Sequence, residues 1–124
     1  MNRTQYEEML NSVYSTSADM PFGDDQSIHI FRHADNKKWF AAVMTVPCSY
    51  LGIKRDGKID IVNLKCAVDI IDSMWIEDGV FPAYHMNKRH WVSVALDGSA
   101  KDETIRFLTE ISYDLTKTKT RPRK

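Results

Sequence analysis

The stretch from residue 39 to residue 65, WFAAVMTVPCSYLGIKRDGKIDIVNLK, holds two apolar runs with the composition of β-strands. Residues 39–46 are apolar almost throughout, and Pro47 should end this strand because proline cannot donate a hydrogen bond to a ladder. Residues 52–58 contain an Asp-Gly pair that favours a turn, and residues 59–65 follow with alternating Ile and Asp. Consecutive strands joined by a short connection predict an antiparallel pair.

Shorter strand-like runs flank this pair. Residues 27–32 alternate Ile28 and Ile30 against His29, and a turn at residues 34–37 joins them to the first long strand. Two further extended segments follow at residues 81–85 and 91–96. The sequence therefore predicts a mainly antiparallel sheet of about five strands.

Three segments have the apolar spacing of amphipathic helices. The first begins at a Thr4-x-x-Glu7 pattern typical of a capping box, the second spans residues 68–76 with Val68, Ile71 and Trp75 on one side, and the third spans residues 102–115. The order α-β-β-β-α-β-β-α predicts an α+β fold, a single two-layer domain over residues 1–115. Its three helices should cover one face of the sheet and leave the other free for water or a partner.

The composition excludes several classes of protein. The chain has 124 residues, of which 43% are hydrophobic and 27% charged, and no apolar run approaches the ~20 residues of a membrane span. Residues 1–8 are too polar for a secretory signal, and Cys48 and Cys66 are too few for a disulfide framework. We therefore expect a cytoplasmic protein with no membrane partner and with two reduced, buried cysteines.

The formal net charge of zero hides a separation of charge along the chain. Residues 1–115 hold 12 basic and 17 acidic residues, whereas residues 116–124 hold five basic residues and no acidic one. Because residues 116–124 contain no apolar side chain, we expect them to form a disordered basic tail. An acidic body repels phosphate at long range, so nucleic-acid binding requires either a local basic patch or this tail.

Residues 82–91, PAYHMNKRHW, place two histidines, an amide, two cations and two aromatic rings between two strand-like segments. A metal site here requires a third ligand beside His85 and His90, and nothing in the sequence places Asp97 next to them. The favoured interpretation is that both histidines and Asn87 bond loop backbone and fix the hairpin. We expect no metal, no cofactor and no catalytic residue.

Residues 85–91, His-Met-Asn-Lys-Arg-His-Trp, resemble the His-Met-Asn-Lys-x-His-Trp signature of the MmcQ/YjbR family. The segments 21–23 (Pro-Phe-Gly), 63–65 (Asn-Leu-Lys) and 112–115 (Ser-Tyr-Asp-Leu) agree with the same family in the same order. The resemblance implies a small domain of helices and strands with secretion-chaperone-like architecture and, through a "double wing" comparison, a DNA-binding role. Residues 66–69 depart from the acidic, proline-containing helix start of relatives, and the basic tail is longer than usual.

The leading hypothesis is a small nucleic-acid-binding module that uses a sheet face and a hairpin loop. Alternation along a strand places Asn63 and Lys65 on one face, and the Trp91 ring offers a surface on which a base stacks. A solvated sheet face with Trp91 packed over loop atoms is the simpler interpretation. The candidate binding residues are Asn63, Lys65, His85, Asn87, Lys88, Arg89, His90 and Trp91, with Lys54, Arg55 and Lys58 as further cations.

Two other functions fit the sequence. A protein-interaction module, monomeric or homodimeric, would present an acidic face to a basic partner. A small-molecule binder or enzyme would use the loop signature, although the sequence lacks a Gly-rich phosphate loop, a nucleophile elbow and a His-Glu-x-x-His motif. The acidic face comprises Asp69, Asp72, Glu77 and Asp78, and the small-molecule site comprises His85, Asn87, Lys88 and His90.

Overall fold

The two long strands lie side by side within the sheet, as predicted. The computed structural model describes residues 1–118, and its strands form one antiparallel sheet in the order β1-β2-β3-β5-β4. Three helices pack against it, so the α+β fold and the element order are confirmed. The elements are α1 (Arg3–Tyr14), β1 (His29–Arg32), β2 (Trp39–Pro47), β3 (Lys58–Lys65), α2 (Val68–Met74), β4 (Val80–Pro82), β5 (Trp91–Ala95) and α3 (Asp102–Thr116).

The first helix begins at a different cap from the predicted one. Asn2 is the N-cap: its side-chain oxygen accepts a hydrogen bond from the Gln5 N–H, and the Gln5 side chain accepts one from the Asn2 N–H. The Thr4-x-x-Glu7 capping box is therefore wrong, because the short Asn2 amide already satisfies the free N–H of the first turn. Glu7 pairs with Arg3 and His29 instead.

Several element ends also differ from the sequence patterns. β4 ends at Pro82 rather than at residue 85, because the Tyr84 N–H donates to the Ser93 side chain instead of continuing the ladder. A short 3-10 helix, Cys48–Leu51, follows β2 in a stretch that the sequence left unassigned. α3 extends one residue further than predicted, to Thr116.

The helices bury the main core against one sheet face. Tyr6 and Leu10 of α1 and Leu108 of α3 meet Val43 and Leu64 of the sheet, all of them almost fully buried. In α2 the buried residue is Ile71, whereas Val68 and Trp75 are 43% and 38% exposed. The predicted burial of these two residues is wrong, because Ile70 and Met74 pack against the core in their place.

The opposite face of the sheet is only partly open, so the prediction of a free second face is wrong for its β3–β5 half. There Ile59, Ile61 and Ala95 form a second buried cluster with Val46 and Cys48. The 3-10 helix and the β4–β5 loop cover this cluster, and the rings of Tyr50 and Tyr84 stack with centroids 5.6 Å apart. The half formed by β1 and β2 stays concave.

Both edges of the sheet carry backbone groups that are already paired. On β1, Ile30 exchanges two hydrogen bonds with Asp19, of 2.9 and 2.7 Å, and the Thr16 hydroxyl donates to the Arg32 carbonyl at 3.4 Å. On β4, the Val80 N–H donates to the Glu77 carbonyl at 3.3 Å. Pro82 has no N–H to offer.

The cysteines are unpaired and buried, as predicted. Burial raises the pKa of the Cys66 thiol. None of the helices within residues 1–118 is long and apolar enough to cross a membrane. Of the predicted tail, Thr116 belongs to α3 and is buried, and residues 119–124 lie outside the described residues.

Candidate functional site

A groove of about 400 Å³ lies on the concave half of the open sheet face. Its floor is formed by Ile30 of β1 and by Ala42 and Met44 of β2. Ala42 lies opposite Ile30 on one side and opposite Asn63 on the other. Because directly paired residues project from the same face of a sheet, the side chains of Ile30, Ala42 and Asn63 all lie on the face that the groove overlies.

Two loops form the walls of the groove. The loop between α1 and β1 contributes Phe22, whose ring meets the Trp39 ring edge-on with centroids 6.1 Å apart. The Arg32 guanidinium lies 5.6 Å from the centroid of the Trp39 ring. The β4–β5 loop contributes His85 and Met86 on the other side. The groove is therefore apolar at its floor and aromatic along one wall.

Asn63 holds the β4–β5 wall in place. Its Nδ2 donates to the Tyr84 carbonyl at 2.9 Å, and its Oδ1 accepts a hydrogen bond from the Ser93 hydroxyl. The same Ser93 oxygen accepts from the Tyr84 N–H at 2.9 Å. Asn63 and Ser93 are both buried, so the backbone of Tyr84 is tied to β3 and to β5 by side chains that are themselves fully engaged. Asn63, a candidate binding residue, positions the loop.

His85 lies where the loop turns back over the groove. Its φ of 57° is in the left-handed region, a conformation that costs a non-glycine residue about 1–3 kcal/mol and is common at functional sites. The exposed imidazole lies against the Tyr84 ring, with centroids 4.0 Å apart. This turn brings His85 and Met86 to the rim of the groove.

Asn87 shapes the tip of the same loop, as predicted. Its side-chain oxygen accepts from the Arg89 N–H at 2.9 Å, and its carbonyl accepts from the N–H groups of His90 and Trp91. The side chains of Lys88, Arg89 and His90 are exposed. Neither the His85 nor the His90 imidazole hydrogen-bonds to another residue in the range 1–118, so the expectation that they bond loop backbone is wrong. Of the three residues predicted to do so, only Asn87 does.

His85 and His90 precede β5, whereas Asp97, the third metal ligand considered in the sequence, follows it. Asp97 follows the far end of β5, where its carboxylate lies 3.1 Å from the Arg55 guanidinium. Among residues 1–118, no group of three or more His, Cys, Asp or Glu side chains is arranged to hold a metal ion.

The predicted cations do not form one patch. Lys65 lies directly opposite Trp91 in the β3–β5 ladder, on the same face as Asn63. Lys58 begins β3, about 23 Å from Lys65 at the ordinary rise of a strand, and Arg55 is engaged by Asp97 and by the Cys48 sulfur. Lys54, Arg55 and Lys58 therefore lie at the other end of the sheet from Lys65 and Trp91.

A second cavity, of about 660 Å³, lies between α1 and β1 and was not indicated by the sequence. At its edge the Glu7 carboxylate accepts from Arg3 Nε at 2.9 Å and lies 2.7 Å from His29 Nδ1. Arg3 also hydrogen-bonds to Thr45 and to the Ser27 carbonyl. Apart from the Arg3–Glu7 pair, which lies within one helical turn, these partners are too far apart in the chain for any local pattern to reveal them. The contacts brace α1 against the sheet.

The segments that carry the family resemblance meet around the first groove. Phe22 of residues 21–23, Asn63 of residues 63–65 and His85 of residues 85–91 all line it. The fourth segment, residues 112–115, lies in α3 on the opposite face of the sheet. There the Ser112 hydroxyl donates to the Phe40 carbonyl at 2.6 Å and accepts from the Lys65 N–H at 2.9 Å. Ser112 thereby fixes α3 to β2 and β3 beneath the groove.

Known proteins with similar sequences agree with this resemblance. The YjbR family model matches residues 11–115. The uncharacterized protein YyaQ of Bacillus subtilis is 39% identical over 104 residues, which are 84% of this chain and 88% of YyaQ. The uncharacterized protein YjbR of Escherichia coli K12 is 30% identical over 93 residues, 73% of each chain.

Solved structures have the same fold. A crystal structure of a Pseudomonas syringae protein superposes with a TM-score of 0.91 at 38% identity, covering 94% of this chain and all of that one. A solution NMR structure from P. syringae gives a TM-score of 0.89 at 36% identity, covering 99% and 98% of the two chains. A Deinococcus radiodurans protein with 24% identity has a TM-score of 0.60 over 87% of this chain and 75% of its own, and shares the fold. The chain described here belongs to the YjbR family.

Proposed function

We propose that this protein is a small-molecule-binding module whose ligand lies in the groove over Ala42. The observation that carries the proposal is the groove itself: about 400 Å³ of space with an apolar floor, an aromatic wall and polar groups at the rim. Small-molecule sites in proteins are typically concave, of roughly 300–1,000 Å³, mostly apolar, with a few polar groups that fix orientation.

The walls favour a flat and largely apolar ligand. The edge-on pair of Phe22 and Trp39 leaves aromatic surface along one side, and aromatic rings gain energy from offset or edge-to-face contact with other rings. The imidazole of His85 lies at the opposite rim. A planar ring system with one polar edge therefore matches the distribution of groups in the groove.

The groove supports binding rather than acid–base catalysis. A general base needs a partner that orients it and a proton within hydrogen-bond distance. The His85 imidazole has no hydrogen-bond partner in the described part of the chain. The buried polar groups nearby, Asn63 and Ser93, are engaged with each other and with the Tyr84 backbone.

A fragment screen by ligand-observed NMR tests the proposal, with Ala42→Leu as the variant that fills the groove. Ala34→Leu, in the exposed β1–β2 turn, is the matched control. We expect planar aromatic fragments to bind the wild-type chain and Ala34→Leu at millimolar concentration and to lose binding in Ala42→Leu, with circular dichroism confirming that all three fold. Fragments that bind Ala42→Leu as well as the wild-type chain would contradict the proposal, as would an absence of bound fragments.

A second candidate function is nucleic-acid binding at one end of the same sheet face. The observation that favours it is the pairing of Lys65 with Trp91, close in the chain to the exposed side chains of Lys88 and Arg89. The charge balance opposes it, because residues 1–118 hold 13 basic and 17 acidic residues. Any contact with phosphate must therefore come from local cations.

Fluorescence anisotropy with duplex and single-stranded DNA at two salt concentrations tests this second candidate. Lys88→Ala/Arg89→Ala is compared with Lys54→Ala/Lys58→Ala, which removes the same charge at the other end of the sheet, and with a chain ending at Thr118. We expect the loop variant alone to lose affinity and to reduce the log–log salt slope by about 0.9 per lost duplex contact. If only the shortened chain loses affinity, the binding is electrostatic attraction by the basic tail.

A further inference from the structure

Large apolar side chains are exposed on the outer side of α3 and in the turn after α2, away from the groove. Phe107 is 49% exposed, Leu115 38% and Ile76 85%. Phe107, Ile111 and Leu115 follow one another at intervals of four residues, which places them on one face of α3. The separation from Phe107 to Leu115 is about 12 Å along the helix axis, or just over two turns.

A cavity of about 340 Å³ lies between α2 and α3 next to Phe107. Met74 of α2 and Phe107 of α3 give it apolar walls, and the carboxylates of Glu77 and Glu103 lie at its rim. Glu77 accepts a hydrogen bond from the Thr104 hydroxyl at 3.4 Å. The surface is therefore an apolar furrow with acidic margins.

Further acidic side chains lie on α2 and in the turn after it. Asp69, Asp72, Glu77 and Asp78 all lie between residues 66 and 87, a stretch with no lysine or arginine. On α3 the neighbouring cation is Arg106, which acts on the other side of the helix, toward Tyr14 of α1. Burial raises the pKa of Tyr14, and the charge of Arg106 partly offsets that effect. The furrow thus combines exposed apolar side chains with a local excess of negative charge.

We infer that this α2–α3 surface, formed by Met74, Ile76, Phe107, Ile111 and Leu115 with its acidic margin, binds an amphipathic helix of a partner protein. The helix would place apolar side chains at intervals of three or four residues into the furrow, the usual form of helix-in-groove recognition. Its lysines and arginines would lie against the carboxylates at the margin. Charge complementarity of this kind sets specificity and association rate.

A second copy of this chain fits the surface less well than a basic partner. A two-fold contact brings the same patch of both subunits together. The acidic margins at Glu77 and Glu103 would then face each other, and repulsion between like charges disfavours this contact. The inference is independent of the groove over Ala42, since the two surfaces lie on opposite faces of the sheet.

The test uses the full-length chain and two labelled 18-residue helical peptides with the same leucine pattern, one flanked by lysines and the other by glutamates. Anisotropy is measured for the wild type, Phe107→Ser, Glu77→Gln/Glu103→Gln and, as a control on α1, Val13→Ser, whose side chain is 58% exposed. We expect the lysine peptide to bind the wild type and Val13→Ser alike, and to bind Phe107→Ser at least about tenfold more weakly. The charge-neutral double variant should also weaken binding and remove most of its salt dependence.

Four results would overturn the inference. The first is that the lysine peptide does not bind at 1 mM, and the second is that Phe107→Ser binds it as tightly as the wild type. The third is equal binding of the lysine and glutamate peptides. A concentration-dependent mass that Phe107→Ser abolishes would also overturn it, since that result assigns the surface to self-association.

Discussion

Nε2 of His33 lies 2.8 Å from Oγ1 of Thr116, and this contact joins the start of the β1–β2 turn to the last turn of α3. The Thr116 hydroxyl donates its hydrogen to the Ser112 carbonyl at 2.7 Å, so His33 is the donor in the contact between them. The imidazole packs against Phe40 and Tyr113, with centroids 5.3 and 4.4 Å away. A buried neutral histidine therefore fastens one end of the helical layer.

Stability should fall in mild acid because of His33. Burial lowers the pKa of this imidazole, although the nearby Asp35 carboxylate acts in the opposite direction. The unfolded chain then takes up a proton near the ordinary histidine value of about 6.5, while the folded chain resists it. The contribution is fully present above about pH 6.5 and is lost as the pH falls from there toward the folded pKa, at up to about 1.4 kcal/mol per pH unit.

Urea unfolding between pH 5 and pH 7.5 measures this effect. We expect His33→Gln to lower stability at pH 7.5 and to flatten the pH dependence below pH 6.5. His90→Gln, at an exposed position, should keep the wild-type slope. An unchanged slope in His33→Gln would show that another group is responsible.

Removing the Asn63 amide should loosen the β4–β5 loop. Asn63→Ala leaves the Tyr84 carbonyl without its donor and the Ser93 hydroxyl without its acceptor. A buried polar group left without a partner costs about 1–3 kcal/mol, so the urea midpoint should fall by a corresponding amount. Amide hydrogen exchange at Tyr84 should accelerate together with that at Trp91, and exchange rates equal to those of the wild type would contradict this account of the loop.

Two glycines with similar backbone angles should respond differently to alanine. Gly79 and Gly52 have φ of 78° and 74°, so each alanine pays the left-handed strain of about 1–2 kcal/mol. At Gly79 an added Cβ would lie 2.7 Å from the Ala100 Cβ and 2.8 Å from the Ala100 nitrogen, whereas at Gly52 it meets nothing within 4 Å. We expect Gly79→Ala to lose at least about 1 kcal/mol more than Gly52→Ala in urea unfolding. Equal losses would mean that Ala100 moves aside without cost.

The strands and the third helix could be predicted from local sequence patterns, because the spacing of apolar residues indicates which side of an element faces the core. α2 is the exception: Val68 and Trp75 have helical spacing with Ile71 and yet stay exposed. A short helix at the margin of the helical layer buries only the residues that reach the core, and no pattern within the helix tells which those are.

The β4–β5 loop of the candidate site could be predicted from the sequence, whereas the groove beside it could not. Residues 85–91 are conspicuous in the sequence, and Asn87 does shape the turn. The groove depends on the register that places Ala42 between Ile30 and Asn63, on three strands that are paired only in the folded chain. The contacts by which Asn63 holds the loop could not be predicted for the same reason, because its partners lie 21 and 30 residues away.

The paired backbone at the sheet edges restricts the ways in which such a protein can bind a new partner. The outward N–H and C=O of Ile30 and the N–H of Val80 are occupied, so recognition there by strand addition would first have to break existing hydrogen bonds. Recognition is left to side chains on the two faces. Side chains can be substituted one at a time while the backbone conformation stays the same. Proteins with closely similar folds can therefore bind unrelated molecules.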